Sequence, residues 1–187
     1  MQLVRVAAAA LNQTPLAWDD NRRRIESVID AARAQQVSVL CLPELCITGY
    51  GCEDAFLSPG VWRTALAVLE EIAPRTRGLV VSAGLPLVVC GSVYDAAALL
   101  VDGVVAGFVC KHFLAGDGIH YEPRWFKPWP VGQRTTLNFS GMARPVGDLL
   151  FDCGGVRIGF EICEDAWVAE RTGARFAQAG CDLVLNP

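Results

Sequence analysis

The stretch "VRIGFEICEDAW" (residues 156–167) sets one cysteine, Cys163, at the junction of two patterns. Before it runs an apolar segment that reads as a buried strand. After it come Glu-Asp and a run of helical character, "EDAWVAERTGARFAQAG", and then "CDLVLNP", which opens another strand. Strand, helix, strand is the unit of a layered fold. A cysteine that only packs needs no corner, whereas a nucleophile does. A helix starting at Glu164 would also aim its N-terminal amides at a thiolate.

Working outward, "DLLFDCGGVRIGFEIC" predicts a hairpin turning at Gly154-Gly155. Residues 78–111 hold three or four strands, with Asp102-Gly103 between apolar runs as a hairpin signal. A helix over residues 60–76 stops near Pro74. Ile25, Val28, Ile29 and Ala32 recur at helical spacing, with Asp19 or Asp20 as the N-cap. Strands are predicted at 3–11, as a buried strand, and at 37–42. The second leads into a long loop, "PELCITGYGCEDAF". The order is β-α-β-α, a run of hairpins, then β-α-β. It predicts a mixed α/β (α+β) fold with helices outside the sheets. The sequence stops at Asn186-Pro187 just after a strand, where topology expects a further connection. The expectation is therefore one incomplete domain over residues 1–187, a fragment of a longer chain.

Composition narrows the class. Of 187 residues 52% are hydrophobic and 19% charged, with a formal net charge of −4, as in a globular domain. Basic residues are scattered apart from Arg22-Arg23-Arg24, which reads as a solvated helix face, so no nucleic-acid footprint is expected. No segment reaches the roughly 18 apolar residues of a membrane span. The eight cysteines lie mostly inside apolar runs, where they behave as small hydrophobes. With no secretory leader in "MQLVRVAAAALNQ", a reducing, cytoplasmic setting is expected. Cys41, Cys46 and Cys52 lack the short paired spacing of a zinc site, and the chain has two histidines; no metal or other cofactor is expected here.

Three polar residues end apolar runs. Glu44 follows "VLCLP", Lys111 follows "VVAGFVC" and Cys163 follows "VRIGFEI". Strand ends are where ligands bind in open α/β sheets. A carboxylate can take a thiol proton and return it to a leaving amine. An ammonium can stabilise an oxyanion, and a thiol so served can attack a carbonyl carbon. Base, cation and thiol together describe acyl transfer from an amide or nitrile. On this reading, loss of Lys111 costs catalysis more than folding. His112 and His120 offer a Cys–His dyad as an alternative. Trp125, Phe126 and Trp129 read as wall packing.

"CLPELCITGY", "CKHFLAGDGIHYEPRWFKPW" and "GFEICEDAW" resemble the three catalytic blocks of the nitrilase (carbon–nitrogen hydrolase) superfamily, with Glu44, Lys111 and Cys163 matching its Glu, Lys and Cys in chain order. The middle block and "CEDAW" resemble the N-terminal glutaminase domain of glutamine-dependent NAD+ synthetases. The resemblance implies a nitrilase-type α-β-β-α sandwich, incomplete at its C-terminal side, that pairs into homo-oligomers. It implies that Cys163 attacks the side-chain amide of glutamine, that Glu122 supports Lys111, and that Tyr50 and Glu164 contact substrate. It also implies a synthetase domain, with its ATP and Mg2+, that this stretch does not contain. A free-standing amidase or nitrilase, and a catalytically silent interaction module of the same fold, are the alternatives.

Overall fold

Residues 78–111 fold as three antiparallel strands, β3 (Val80–Val89), β4 (Ser92–Val101) and β5 (Val104–Cys110). The two turns, Cys90-Gly91 and Asp102-Gly103, have positive φ at both positions (48° and 78°, 50° and 86°). That geometry matches the twist of the flanking strands. The computed structural model describes residues 3–187. In it β1 (Val6–Ala8) and β2 (Val39–Cys41) join β3 in parallel, and the hairpin of β6 (Arg134–Phe139) and β7 (Met142–Gly147) joins beyond β5. The sheet order is β1-β2-β3-β4-β5-β7-β6. A second sheet, ordered β10-β9-β8, holds β8 (Phe151–Cys153), β9 (Val156–Phe160) and β10 (Leu183–Leu185).

Alternation along the strands sorts the side chains into two cores. On one face Ala83, Ala98 and Leu100 pack under α1 (Trp18–Ala34) and α2 (Pro59–Ile72), which bury Ile25, Ile29, Val68 and Leu69. On the other face Val39, Ala97, Leu99 and Val109 meet Ile158, Phe160 and Leu185 of the second sheet. Beyond the one-turn α3 (Glu122–Trp125), α4 (Thr172–Gln178) covers that sheet's outer side. There a Cβ on Gly159 would lie 2.8 Å from the Phe176 ring. The layers are α-β-β-α. Among the described residues no helix is long and apolar enough to cross a membrane.

Three sequence expectations change. The strand over 3–11 is only Val6–Ala8, and it is an edge strand with Val6 about half exposed, not a buried one. Its alanines bury too little area to hold the longer run in the sheet. The helix expected from Glu164 is instead a 3-10 turn, Cys163–Ala166, and α4 starts only at Thr172. The Asp165 carboxylate accepts the Ile162 N–H at 3.0 Å, and such side-chain bonding competes with helix propagation. The β6–β7 hairpin is not expected from the sequence pattern. β6 carries Arg134, Thr136 and Asn138 at every second place, and β7 holds Arg144-Pro145, so both pass for loop, yet Ser140-Gly141 has the same positive-φ pair (50° and 75°) as the other hairpins.

Candidate active site

The inner face of the large sheet delivers the site. Ala97 on β4 pairs with Val109 on β5, and Ala96 with Cys110. One step further, the Lys111 N–H donates to the Asp95 carbonyl at 2.9 Å. Asp95 and Lys111 are thus cross-strand neighbours on the face turned to the second sheet. Glu44 arrives from β2 through a tight turn in which Leu45 is left-handed (φ 49°) and fully buried. That turn lies directly on Gly84 of β3, where a Cβ would sit 2.2 Å from the Leu45 nitrogen. Gly84→Ala is therefore expected to destabilise the fold by about 1–3 kcal/mol through overpacking and to displace Glu44. Urea unfolding together with turnover checks it; an unchanged midpoint would show that the turn yields freely.

Lys111 is fully buried. Its Nζ donates to Glu44 Oε1 at 2.6 Å and to Glu122 Oε1 and Oε2 at 2.8 and 2.7 Å, and lies 3.8 Å from Asp95 Oδ2. One ammonium stands among three carboxyl groups whose oxygens lie within 4.8 Å of one another. Glu122, at the start of α3, also accepts the Ala115 N–H at 2.8 Å and the Tyr50 hydroxyl at 2.6 Å. Tyr50 in turn lies 3.1 Å from His120 Nδ1. A cavity of about 590 Å3, lined by Tyr50, Glu53, His120, Arg124 and Trp125 among others, lies on the Tyr50–His120 side of this cluster, and Glu44, Lys111 and Cys163 are not in its lining.

Cys163 comes from the opposite sheet. It follows β9 at a left-handed corner (φ 43°), a conformation that costs energy outside glycine and asparagine and is found at functional sites. The side chain is half-buried. The charges of Glu44, Lys111 and Glu122 act on the thiol, so it lies within electrostatic range of the lysine cluster. Glu164, beside it, is half-exposed. Asp165, next along, is buried and accepts the N–H groups of His112 at 3.1 Å and Phe113 at 2.8 Å as well as that of Ile162. One carboxylate thus ties the Lys111 loop to the Cys163 corner.

The electrostatics follow from this crowding. Burial and the Glu44 charge push the Cys163 thiol up to about 11, and the Lys111 ammonium offsets only part of that. The resting thiol is therefore protonated at neutral pH. Burial works against the Lys111 charge, but the acids around it outweigh burial and hold the ammonium above its ordinary range. Burial and the Glu44 charge hold the Asp95 carboxyl well above the carboxylate range. Burial and its bond to Glu122 raise Tyr50, which stays a phenol.

The histidine alternative meets a different geometry. His112 is buried with Nδ1 on the Trp129 carbonyl at 2.8 Å and Nε2 facing Asp148 at 3.7 Å, so its ring is committed to the wall. His120 is exposed. Phe126 packs on Phe56 with ring centres 4.8 Å apart and Trp129 on Tyr94 at 4.9 Å, as wall residues do. All eight cysteines are unpaired thiols. Asp95 and Asp165 join the site without being among the residues expected from the sequence. The signal for Asp95 was there: a single acid inside the apolar strand "SVYDAAALLV". Asp165 gave none, because its neighbour Glu164 carries the same charge.

Known proteins share this arrangement of chain. A glutamine-dependent NAD(+) synthetase from Xanthomonas campestris pv. campestris is 34% identical over 185 residues, 98% of this chain and 31% of that protein. A putative one from Schizosaccharomyces pombe is 28% identical, again over 98% of this chain and 28% of that protein. The crystal structure of a glutamine-dependent NAD(+) synthetase from Cytophaga hutchinsonii superposes with a TM-score of 0.90 at 44% identity, covering 98% of this chain and 30% of that one. An amidase from Nesterenkonia sp. shares the fold, with a TM-score of 0.75 at 24% identity, 98% of this chain and 64% of that one. The chain thus spans under a third of the length of the synthetases it matches. The family described as carbon-nitrogen hydrolase matches residues 5–187, every strand and helix just described, and the chain belongs to that family.

Proposed function

We propose that the chain hydrolyses the side-chain amide of glutamine through a thioester on Cys163. The observation that carries this is the buried Lys111 ammonium bonded to Glu44 at 2.6 Å, with the Cys163 thiol, at a left-handed corner, within electrostatic range of both. A thiol held up to about 11 is no preformed thiolate, so the proton must leave as sulfur attacks. Glu44 takes that proton, and Sγ bonds to the amide carbon. The carbonyl π electrons move onto oxygen, and the oxyanion is met by Lys111.

Lys111 begins with its three N–H groups engaged by Glu44 and Glu122. Protonation of Glu44 removes the negative charge that held one of them, which frees that N–H for the oxyanion. Glu44 then passes the proton to the leaving nitrogen, the C–N bond breaks and ammonia departs. Water attacks the thioester with Glu44 again as base; glutamate leaves and the thiol is restored. Glu122 keeps two N–H groups in place throughout, and Tyr50 and Glu164 contact the substrate.

The names of the relatives support a destination for the ammonia: ATP-dependent NAD+ synthesis by a synthetase domain on the same polypeptide, with residues 1–187 supplying the hydrolase part. Pairing of hydrolase domains into a homo-oligomer belongs to the same proposal, and the eight unpaired thiols fit a cytoplasmic setting. A chloroketone analogue of glutamine tests the reaction. Mass spectrometry is expected to find one adduct, on Cys163, absent in Cys163→Ala, with ammonia released from glutamine in preference to simple aliphatic amides. Preference for the simple amides would favour a free-standing amidase, and a folded protein that takes no adduct would favour a silent module.

A further inference from the structure

The mechanism above uses two of the three acids around Lys111, and the third has no assigned partner. Asp95 is 1% exposed. Both its oxygens are sealed from solvent and accept no hydrogen bond among the described residues. Its position is no accident of a loop, because the β4–β5 register sets it opposite Lys111. Yet Lys111 Nζ, at 3.8 Å, gives its protons to Glu44 and Glu122 instead. An ionised carboxylate without a donor in such a place is costly. A carboxylic acid has its own proton to give, and the neighbouring acceptor is the Glu44 carboxylate, within the 4.8 Å span of the trio.

We infer that Asp95 is a neutral carboxylic acid that donates a hydrogen bond to Glu44 and so fixes the direction in which the base receives the thiol proton. This rests on the amide-hydrolysis reading and adds a positioning residue to it. The charged and titratable groups facing Asp95 are Glu44, Lys111 and Glu122, with Tyr50, Cys163 and the neighbouring Cys110 behind them. With Asp95 neutral, the acids carry two negative charges against one positive. With it ionised they would carry three, at contact range, with no further cation.

The infrared spectrum of the purified protein reads the state of Asp95 directly. A protonated-carboxyl band, shifted in D2O and lost in Asp95→Asn, is expected, and its absence would overturn the inference. Kinetics supply the second arm. Asp95→Asn keeps a neutral donor and is expected to hold kcat within about threefold, with KM unchanged. Asp95→Ala removes the donor and is expected to lose about 10- to 100-fold in kcat at unchanged KM, by analogy with groups that orient metal ligands. If Asp95→Asn folds and is as impaired as an Ala variant or worse, the negative charge is what matters and the inference fails. Should Asp95→Ala not fold, the Asn variant and the band still decide. Should the wild-type protein release no ammonia from glutamine, the hydrolysis reading falls alone, since the band reports on Asp95 without any substrate.

Discussion

Glu44→Gln is expected to lower glutamine turnover by about 10²- to 10⁴-fold, the contribution of a positioned general base. In the same variant the thiol should become easier to alkylate. The Glu44 charge is one of the causes that push Cys163 up to about 11, so removing it lowers that value. At a fixed pH between neutral and about 11, a larger share of the thiol is then ionised. The two readouts move in opposite directions. Iodoacetamide trapping of Cys163 should be faster, while ammonia release nearly stops. Damage to the fold would slow both. A variant that keeps its turnover would remove Glu44 from the role of base. One that alkylates more slowly would mean that Glu44 activates the resting thiol.

Lys111→Ala is expected to be the most damaging substitution, and in two currencies. Loss of an oxyanion partner costs about 10²–10³ in rate. The sequence alone suggests that folding is largely spared, but full burial changes that expectation. Lys111 is the cation at the centre of Glu44, Asp95 and Glu122. Breaking a buried ion pair from one side typically costs about 3–5 kcal/mol, because the remaining charges are left in low dielectric. The pH dependence carries a sign. In the wild type, Lys111 is raised above its unfolded value, so its stabilising contribution is fully present below the unfolded lysine range and is lost only above the folded one. In the variant the unpaired acids tolerate burial only as neutral carboxyls, a form that low pH favours. The stability gap between wild type and variant should therefore narrow between about pH 8 and about pH 5. Urea midpoints at both pH values measure it; a gap that widens toward acid would mean that the acids hold one another without the lysine.

Much of this site is legible before folding because of where its parts fall. Glu44, Lys111 and Cys163 each interrupt an apolar run at its end, the place where ligands bind in open α/β sheets. The hairpins at Asp102-Gly103 and Gly154-Gly155 announce themselves through local chemistry. What escapes is non-local. Asp95 means nothing until the β4–β5 register sets it across from Lys111, and Asp165 means nothing until its oxygens meet the His112 and Phe113 amides from fifty residues away. The same carboxylate explains the missing helix start at Glu164, since propensity reads the run "EDAWVAERTGARFAQAG" without knowing that its second residue, Asp165, is tied elsewhere. The β6–β7 hairpin escapes because one face of β6 is polar and β7 is short, with Arg144-Pro145 inside it, so both resemble a loop.

The sulfur follows a strand of one sheet and the ammonium a strand of the other, and the apolar layer between those sheets helps set their spacing. Leu99 and Val109 from one side and Ile158 and Phe160 from the other therefore act as a spacer as well as a core. Such interiors are close-packed and transmit strain, and a displacement of about 1 Å in a reacting group can cost about 10²-fold. Trimming one methylene from that spacer would alter the gap the proton must cross, so in this chain a packing substitution far from any polar atom becomes a change in reactivity.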